Sequence, residues 1–512
     1  MAAGTALAEP GPLLLALDHD GCTRDDGQAP VWVPSELSVV RGAFAGVWQN
    51  PDGELILARD PVGHRSLYWS KAPDGSPTWA FRLRDAIPDG NSRRLDPIAL
   101  ATYLATAYVP GHRTLLTGVE AVEAGSRVHL RASGPAARRA FAPLPAAPKV
   151  YDDEATLKLR LRASLESTVE RLLPEGPVAA TLSGGIDSSL VAALAAARRP
   201  LTTFSITFGP EHRDELEWSR LVAAHIGARH ELVTVRPDDV RRYFDETVGA
   251  LSEPNGDPLT VPNTMLFSAA NQLGLDVMLN GEGGDPCFGG PKNGPLILAT
   301  LYGESSLLSR ERAYLRAHQR LWDELGVALE PELRAGIPEG AIEGLVTPWL
   351  QDDRWPSFLD RLMALNVAWK GGGHILPKVE HLSAAHGVSA RSPLFDWDLV
   401  RRAFEIPPDM KRRGSIEKYL LKESVRDLLP DAVVDRPKSG MMVPVEAWFD
   451  GPLRAFAEER LLDSTTLRGI IRRDFLEKLV ARATGGLRPR RGVKIWLLLT
   501  LESWIRQMGA TL

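Results

Sequence analysis

Two rhythms of apolar and polar residues divide the chain. Up to about residue 140, apolar positions come in short runs broken by Gly, Pro, Asn and Asp, the pattern of short strands and tight turns. Gly42–Trp48 and Glu54–Asp60 read as a hairpin turning at Asn50-Pro-Asp-Gly53, and Ser66–Trp69 and Thr78–Phe81 read as further strands. A helix from Pro97 to Ala107 follows with Asp96 as its N-cap, and Val128-His-Leu130 reads as the last strand of this part. The first 40 residues carry little pattern, and the Ala/Pro-rich stretch from Ala136 to Pro148 reads as a linker.

From Tyr151 the rhythm changes to helices alternating with apolar strands. The spacing predicts helices over Glu154–Leu173 and Glu215–Ile226, and strands over Val178–Leu182, Leu201–Phe208, His230–Val235 and Val277–Asn280. Strands separated by helices pair in parallel through right-handed crossovers. Ligands of such sheets lie beyond the carboxyl ends of the strands, where Ser183 and Gly281 fall. Beyond about residue 300 the pattern is mostly helical. The fold class expected is α/β: a small β-rich domain over 1–140, then a parallel-sheet domain over 150–512 with a helical C-terminal part.

The stretch that organises this second part is Val178-Ala-Ala-Thr-Leu-Ser-Gly-Gly-Ile-Asp-Ser-Ser189. An apolar strand stops at a Ser-Gly-Gly turn, and an Ala/Leu-rich helix, read from Leu190 to Arg198, begins just after. Strand, glycine turn and helix N-terminus together form a cradle for an anion. Gly184 and Gly185 allow close backbone approach, Ser183, Ser188 and Ser189 add hydroxyl donors, and Asp187 adds a carboxylate suited to magnesium. No Gly-Lys-Ser/Thr follows, so this is not a Walker loop.

Composition narrows the classes. The chain has 512 residues, 44% hydrophobic and 24% charged, which describes an ordinary globular protein of two or three domains. A net charge of -5 argues against a nucleic-acid partner. Two cysteines, Cys22 and Cys287, exclude a disulfide scaffold and a four-cysteine zinc site. No basic region precedes Leu13-Leu14-Leu15 and no apolar run approaches a membrane span, so no signal peptide, no membrane contact and a cytoplasmic location are expected.

The Ser183–Ser189 loop matches the signature of the ATP pyrophosphatases, and the chain as a whole resembles the asparagine synthetase superfamily. Besides that loop, the resemblance rests on Asp214-Glu-Leu-Glu-Trp-Ser-Arg220, Glu253-Pro-Asn-Gly-Asp-Pro258 with Val261-Pro262, Gly281-Glu-Gly-Gly-Asp285 with Phe288-Gly-Gly290, and Lys378-Val-Glu-His-Leu-Ser-Ala-Ala-His386 with Arg391–Asp396. Lys418-Tyr-Leu-Leu-Lys422, Arg436-Pro-Lys-Ser-Gly440 and Trp496–Trp504 complete the order. The front part resembles the back of the family's glutaminase domain, an Ntn-type fold. That domain uses an N-terminal cysteine, whereas position 2 is Ala2 and about half the usual length is missing. Cys22 is internal and has no free α-amine to serve as base. The resemblance therefore implies a truncated, vestigial glutaminase-like domain, as in the β-lactam synthetases and lasso-peptide cyclases.

What the resemblance implies for chemistry is an ATP-dependent, AMP-forming amide ligase. The cofactors are ATP and Mg2+, and the partners are a small-molecule or peptide carboxylate and an amine or ammonia; a homodimer stays open. It sets ATP and its pyrophosphate against Thr181, Leu182, Ser183, Gly184, Gly185, Asp187, Ser188, Ile206, Asn280 and Gly281, with Asp187 and Asp285 on the metal. Lys438 brings positive charge to the pyrophosphate or the tetrahedral intermediate, Glu282 stands where a base for the amine is expected, and Glu380 could act beside it, the plainer alternative being a salt bridge to Lys378 or a neighbouring arginine. His374 and His386 read as structural. Where the family's second loop usually carries a glutamate after the aspartate, this chain has Pro286, which argues against plain aspartate as substrate. The alternatives are a peptide macrolactam or β-lactam-type cyclase, a tRNA-modifying ATP pyrophosphatase, and a non-catalytic ATP-binding pseudo-synthetase.

Overall fold

In the computed structural model the chain is described over residues 13–24, 32–212, 215–290, 293, 296–297, 309–437, 440–481 and 490–512. It divides into two compact units, Met1–Ser92 with Gly118–Leu144, and Arg93–Thr117 with Pro145–Leu512.

The first unit is built on an antiparallel sheet of β1 (Leu13–Arg24), β2 (Val40–Gln49), β3 (Leu55–Arg59), β7 (Ser126–Leu130) and β8 (Ala137–Ala140), in the order β1-β2-β3-β7-β8. A three-stranded sheet, β5 (Pro77–Ala80), β4 (Tyr68–Lys71) and β6 (Val119–Ala121), completes it. Period-two alternation serves two cores at once. Ala45, Val47, Leu55 and Leu57 pack on one face with Trp69, Val128 and Leu130, while Phe44, Trp48, Ile56 and Ala58 face the other with Leu37 and Val40. Two segments differ from the sequence reading: the first 40 residues hold the long strand β1, and the stretch read as a linker holds β8. Both are edge strands, and β8 (Ala-Arg-Arg-Ala) is exposed throughout, so neither has the apolar alternation that marks an inner strand.

The second unit contains a fully parallel sheet in the order β11-β10-β9-β12-β13. Its strands are β9 (Val178–Thr181), β10 (Leu201–Thr207), β11 (Arg229–Thr234), β12 (Val277–Leu279) and β13 (Ser389–Arg391). The order reverses direction between β9 and β12, so the loops leaving these two adjacent strands open the crevice in which such sheets bind ligands. The strand β13, three residues long, ends on Arg391, the first residue of the Arg391–Asp396 motif, where the sequence pattern predicts no strand. The helix after β9 spans Ile186–Ala196, starting earlier than expected, so Asp187 and Ser188 lie within its first turn. Asp96 caps the helix Pro97–Thr106, accepting from Ile98 N and Ala99 N at 2.9 Å. The sequence grouped this helix with the small first domain, whereas its segment, 93–117, is counted with the larger unit. Among the described residues no helix is long and apolar enough to cross a membrane.

Candidate active site

The first strand-end loop is held open by its own hydroxyls. Ser188 Oγ lies 3.0 Å from Ser183 Oγ and accepts from Ser183 N at 3.1 Å, while Gly185 N donates to Ser183 Oγ at 3.3 Å. Gly184 has φ of +73°, and a Cβ there would lie 2.6 Å from Ser219 N, so only glycine makes this turn against the helix Leu216–His225. Thr181 ends β9, and Leu182 N donates to Phe204 O at 2.8 Å. Ile206 is buried on β10 beside them.

The second loop interlocks with the first. Asn280 N donates to Arg391 O at 3.0 Å, and its Oδ1 accepts from Glu282 N at 3.0 Å. Its Nδ2 is buried with no hydrogen-bond partner among the described residues. A Cβ on Gly281 would lie 2.6 Å from Ser188 Cα, and one on Gly284 would overlap the Asp187 carboxylate. Asp187 and Asp285 are thereby brought together, and between them stands Lys418. Its Nζ is 2.5 Å from Asp187 Oδ2 and 2.5 Å from Asp285 Oδ1. The Lys418 side chain is buried, whereas Asp285 keeps 40% of its side-chain surface exposed, so the pair opens to solvent on that side. Sequence reasoning quoted Lys418 within a motif but gave it no role. The contact joins residues 231 apart, and no local pattern announces it.

Arg436 closes the loops from a third direction. Its Nη1 donates to Gly184 O at 3.3 Å, it pairs with Glu215, and its guanidinium lies 4.9 Å from the Trp218 ring centroid. Two residues on, Lys438 falls outside the described residues, as do Ser439 and the Asp214 of the second motif.

A second group of polar side chains gathers around the helix Leu376–Ala384 and the π-helical segment Asn366–Ile375 before it. Lys378 Nζ donates to Asp257 Oδ2 at 2.7 Å. The plainer role considered for Glu380, pairing with Lys378, is thus met by Asp257 instead, and Glu380 is buried with Oε2 3.5 Å from His381 Nε2. Burial pushes the Lys378 ammonium down, but the charges of Asp257 and Glu282 prevail and hold it above the usual lysine range. Glu282 therefore belongs to the electrostatic surroundings of Lys378. Burial, and after it the charge of Lys378, push His374 down to about 3 and keep it neutral. Its ring stacks on Tyr108 at 4.7 Å and its Nε2 meets Asn255 Oδ1 at 3.0 Å, as expected of a structural histidine. Glu253 carries a signal that the sequence did not offer: burial pushes it up to about 8, with Leu115 N donating to it at 3.3 Å.

The residues fit magnesium as far as the chain's own donors go. Mg2+ is commonly held by one or two carboxylates and completed by substrate phosphates and water. Asp187 and Asp285 already share one cation, and among the described residues no group of three or more His, Cys, Asp and Glu side chains is placed to hold a metal.

A parallel sheet whose switch point carries a Ser-Gly-Gly turn, a helix N-terminus and two converging carboxylates defines an ATP-pyrophosphatase-type synthetase. Comparison with known proteins agrees. Residues 160–506 match the asparagine synthase family model, and residues 31–141 match that of the glutamine amidotransferase domain. The chain belongs to the asparagine synthase family, whose members form C–N bonds at the expense of ATP, with an Ntn-like unit ahead of the synthetase unit. It is 29% identical over 471 residues to a Mycobacterium tuberculosis protein provisionally named asparagine synthetase (glutamine-hydrolysing), covering 83% of this chain and 71% of that one. It is 24% identical over 496 residues to asparagine synthetase (glutamine-hydrolysing) 1 of Bacillus subtilis, covering 91% and 78%. The NH3-dependent NAD synthetase from Campylobacter jejuni aligns over 36% of this chain and 91% of its own at 16% identity, with a TM-score of 0.20, too distant a likeness to carry an argument.

Proposed function

We propose that this protein activates a substrate carboxylate as its acyl adenylate, releasing pyrophosphate, and then joins it to an amine or to free ammonia without a glutaminase of its own. One observation carries the reading: the loops leaving β9 and β12 bring two carboxylates to one cation beside a glycine turn and a helix N-terminus. A free carboxylate resists attack because oxide is its leaving group, and adenylation replaces that with AMP. Asp187 and Asp285 would hold Mg2+, which when bound neutralises charge on the phosphates. Ser183, Ser188 and the N–H groups of the turn bind and orient the phosphate chain. Asn280 offers its unpartnered Nδ2 at the same edge. Lys438 supplies further positive charge, and Arg436 ties the strand-end turn to the segment that carries it. Glu282, whose charge acts on Lys378, takes the proton from the attacking amine, and Glu380 assists it.

The test separates the two half-reactions. Glu282→Gln keeps size and hydrogen bonding but cannot accept a proton. It should still exchange labelled pyrophosphate into ATP in a carboxylate-dependent way, while amide formation falls by about 10²–10⁴-fold. If both activities fall together, Glu282 serves ATP or metal instead of the amine. If ADP and phosphate are the products, the adenylate reading itself is lost.

A further inference from the structure

The place between Asp187 and Asp285 is one that a bridging divalent cation would need, and the chain itself fills it. Lys418 Nζ lies 2.5 Å from one oxygen of each carboxylate. Magnesium sits about 2.0–2.1 Å from its oxygen ligands, so an ion shared by the same two oxygens would overlap the ammonium. We propose that Lys418 is a resident counter-ion at the bridging position, which must leave before the two carboxylates can share a metal, so that this protein takes its metal together with nucleotide and not ahead of it. The proposal rests on the reading of Asp187 and Asp285 as metal ligands.

The local structure is built to deliver that ammonium. A two-residue hairpin, Arg412–Arg413 against Ile416–Glu417, turns at Gly414 and ends at Lys418. Lys418 itself has φ of +55°, in the left-handed region that a lysine seldom adopts. Its side chain is buried, and it immediately precedes the helix Tyr419–Ser424, whose Leu420 and Leu421 are also buried. The position has an electrostatic purpose. Two carboxylates this close repel unless a cation lies between them. With Lys418 in place the loops are held in register. A metal alone would have to expel a buried ammonium from between its two carboxylates. A nucleotide removes that obstacle, because its phosphates offer the displaced ammonium a new partner on the solvent-open side of Asp285.

The experiment uses the full chain and Mn2+ as the probe, with bound and free ion counted by electron paramagnetic resonance. Wild type and Lys418→Met are titrated with Mn2+ alone and again with α,β-methylene-ATP. The expected result is that wild type binds Mn2+ with the analogue but only weakly without it. Lys418→Met should bind Mn2+ alone at least about tenfold more tightly than wild type, and lose that gain when Asp285→Asn is added. Equal affinity of wild type and Lys418→Met for Mn2+ alone overturns the proposal and leaves the metal reading standing. Failure of either protein to bind Mn2+ even with the analogue overturns the metal reading and the proposal with it. Should Lys418→Met not fold, the wild-type melting temperature decides: Mg2+ alone should leave it unchanged and Mg2+ with the analogue should raise it. A rise with Mg2+ alone equal to that with both would overturn the proposal.

Discussion

Cys22 is the residue on which a glutaminase role for the first unit would have to rest within these 512 residues, and its surroundings disfavour the thiolate. Its Sγ lies 3.2 Å from Ala43 O and 3.5 Å from Asp20 O, and burial, followed by the charge of Asp60, pushes the thiol up to about 12. Burial likewise pushes up Cys287, which is fully enclosed. A thiol is nucleophilic as the thiolate, and burial disfavours that charged form in both groups. Native protein treated with a disulfide reagent at about pH 8 should therefore label neither cysteine until denaturant is added. Cys22→Ser should leave amide formation at the wild-type rate. Rapid labelling of one thiol in the native protein, or a glutamine-dependent activity lost in that variant, would restore a catalytic role to Cys22.

At the scale of elements, the site depends on two loops packed closely enough to exclude a methyl group. Gly281 rests on the backbone of Ser188, and Gly284 rests on the carboxylate of Asp187. In Gly284→Ala the new Cβ would turn Asp187 away from Lys418 and from the phosphate side of the helix Ile186–Ala196. Misplacing a group at the reacting centre by about 1 Å can cost on the order of 10²-fold in rate. We expect Gly284→Ala to lose pyrophosphate exchange by roughly that factor while its circular dichroism and melting temperature stay close to wild type. Unchanged exchange would mean that the Asp187 carboxylate does not need its present orientation. Both glycines belong to the Gly281–Asp285 motif of the sequence; that they are spacers between the two loops is visible only in three dimensions.

At the scale of the whole molecule, we expect that cutting the chain where its sequence suggests would cost stability. The Ala/Pro-rich stretch ending near residue 148 invites separation there, yet the segment 93–117 is counted with the synthetase unit. Its helix Pro97–Thr106 buries Leu100, Tyr103 and Leu104 completely, and Tyr103 Oη donates to Leu497 O at 2.9 Å in the C-terminal helix Arg491–Met508. Leu115 N reaches Glu253 in the same unit. Each fully buried side chain of this size is worth about 1.5–3 kcal/mol, and three of them compare with the whole 5–15 kcal/mol by which domains are stable. A fragment 145–512 should accordingly be insoluble or melt well below the full chain, as scanning calorimetry would show. A fragment with the full melting temperature would mean that the segment is dispensable.

The sequence alone determined what is local. The change of rhythm near residue 150 marks the passage from short strands to alternating strands and helices, because period and turn residues act within a few positions. The Ser183–Ser189 turn and the Asp96 cap were legible for the same reason: each satisfies backbone donors next to it in the chain. Tertiary structure decided which distant charges meet. Lys378 reaches Asp257, 121 residues away, on the neighbouring loop. Lys418 lies far along the chain from both Asp187 and Asp285, and only the crossover order of the sheet brings the three together. A buried charge must find its opposite wherever the fold offers one, and that choice depends on topology and desolvation, which no local pattern records.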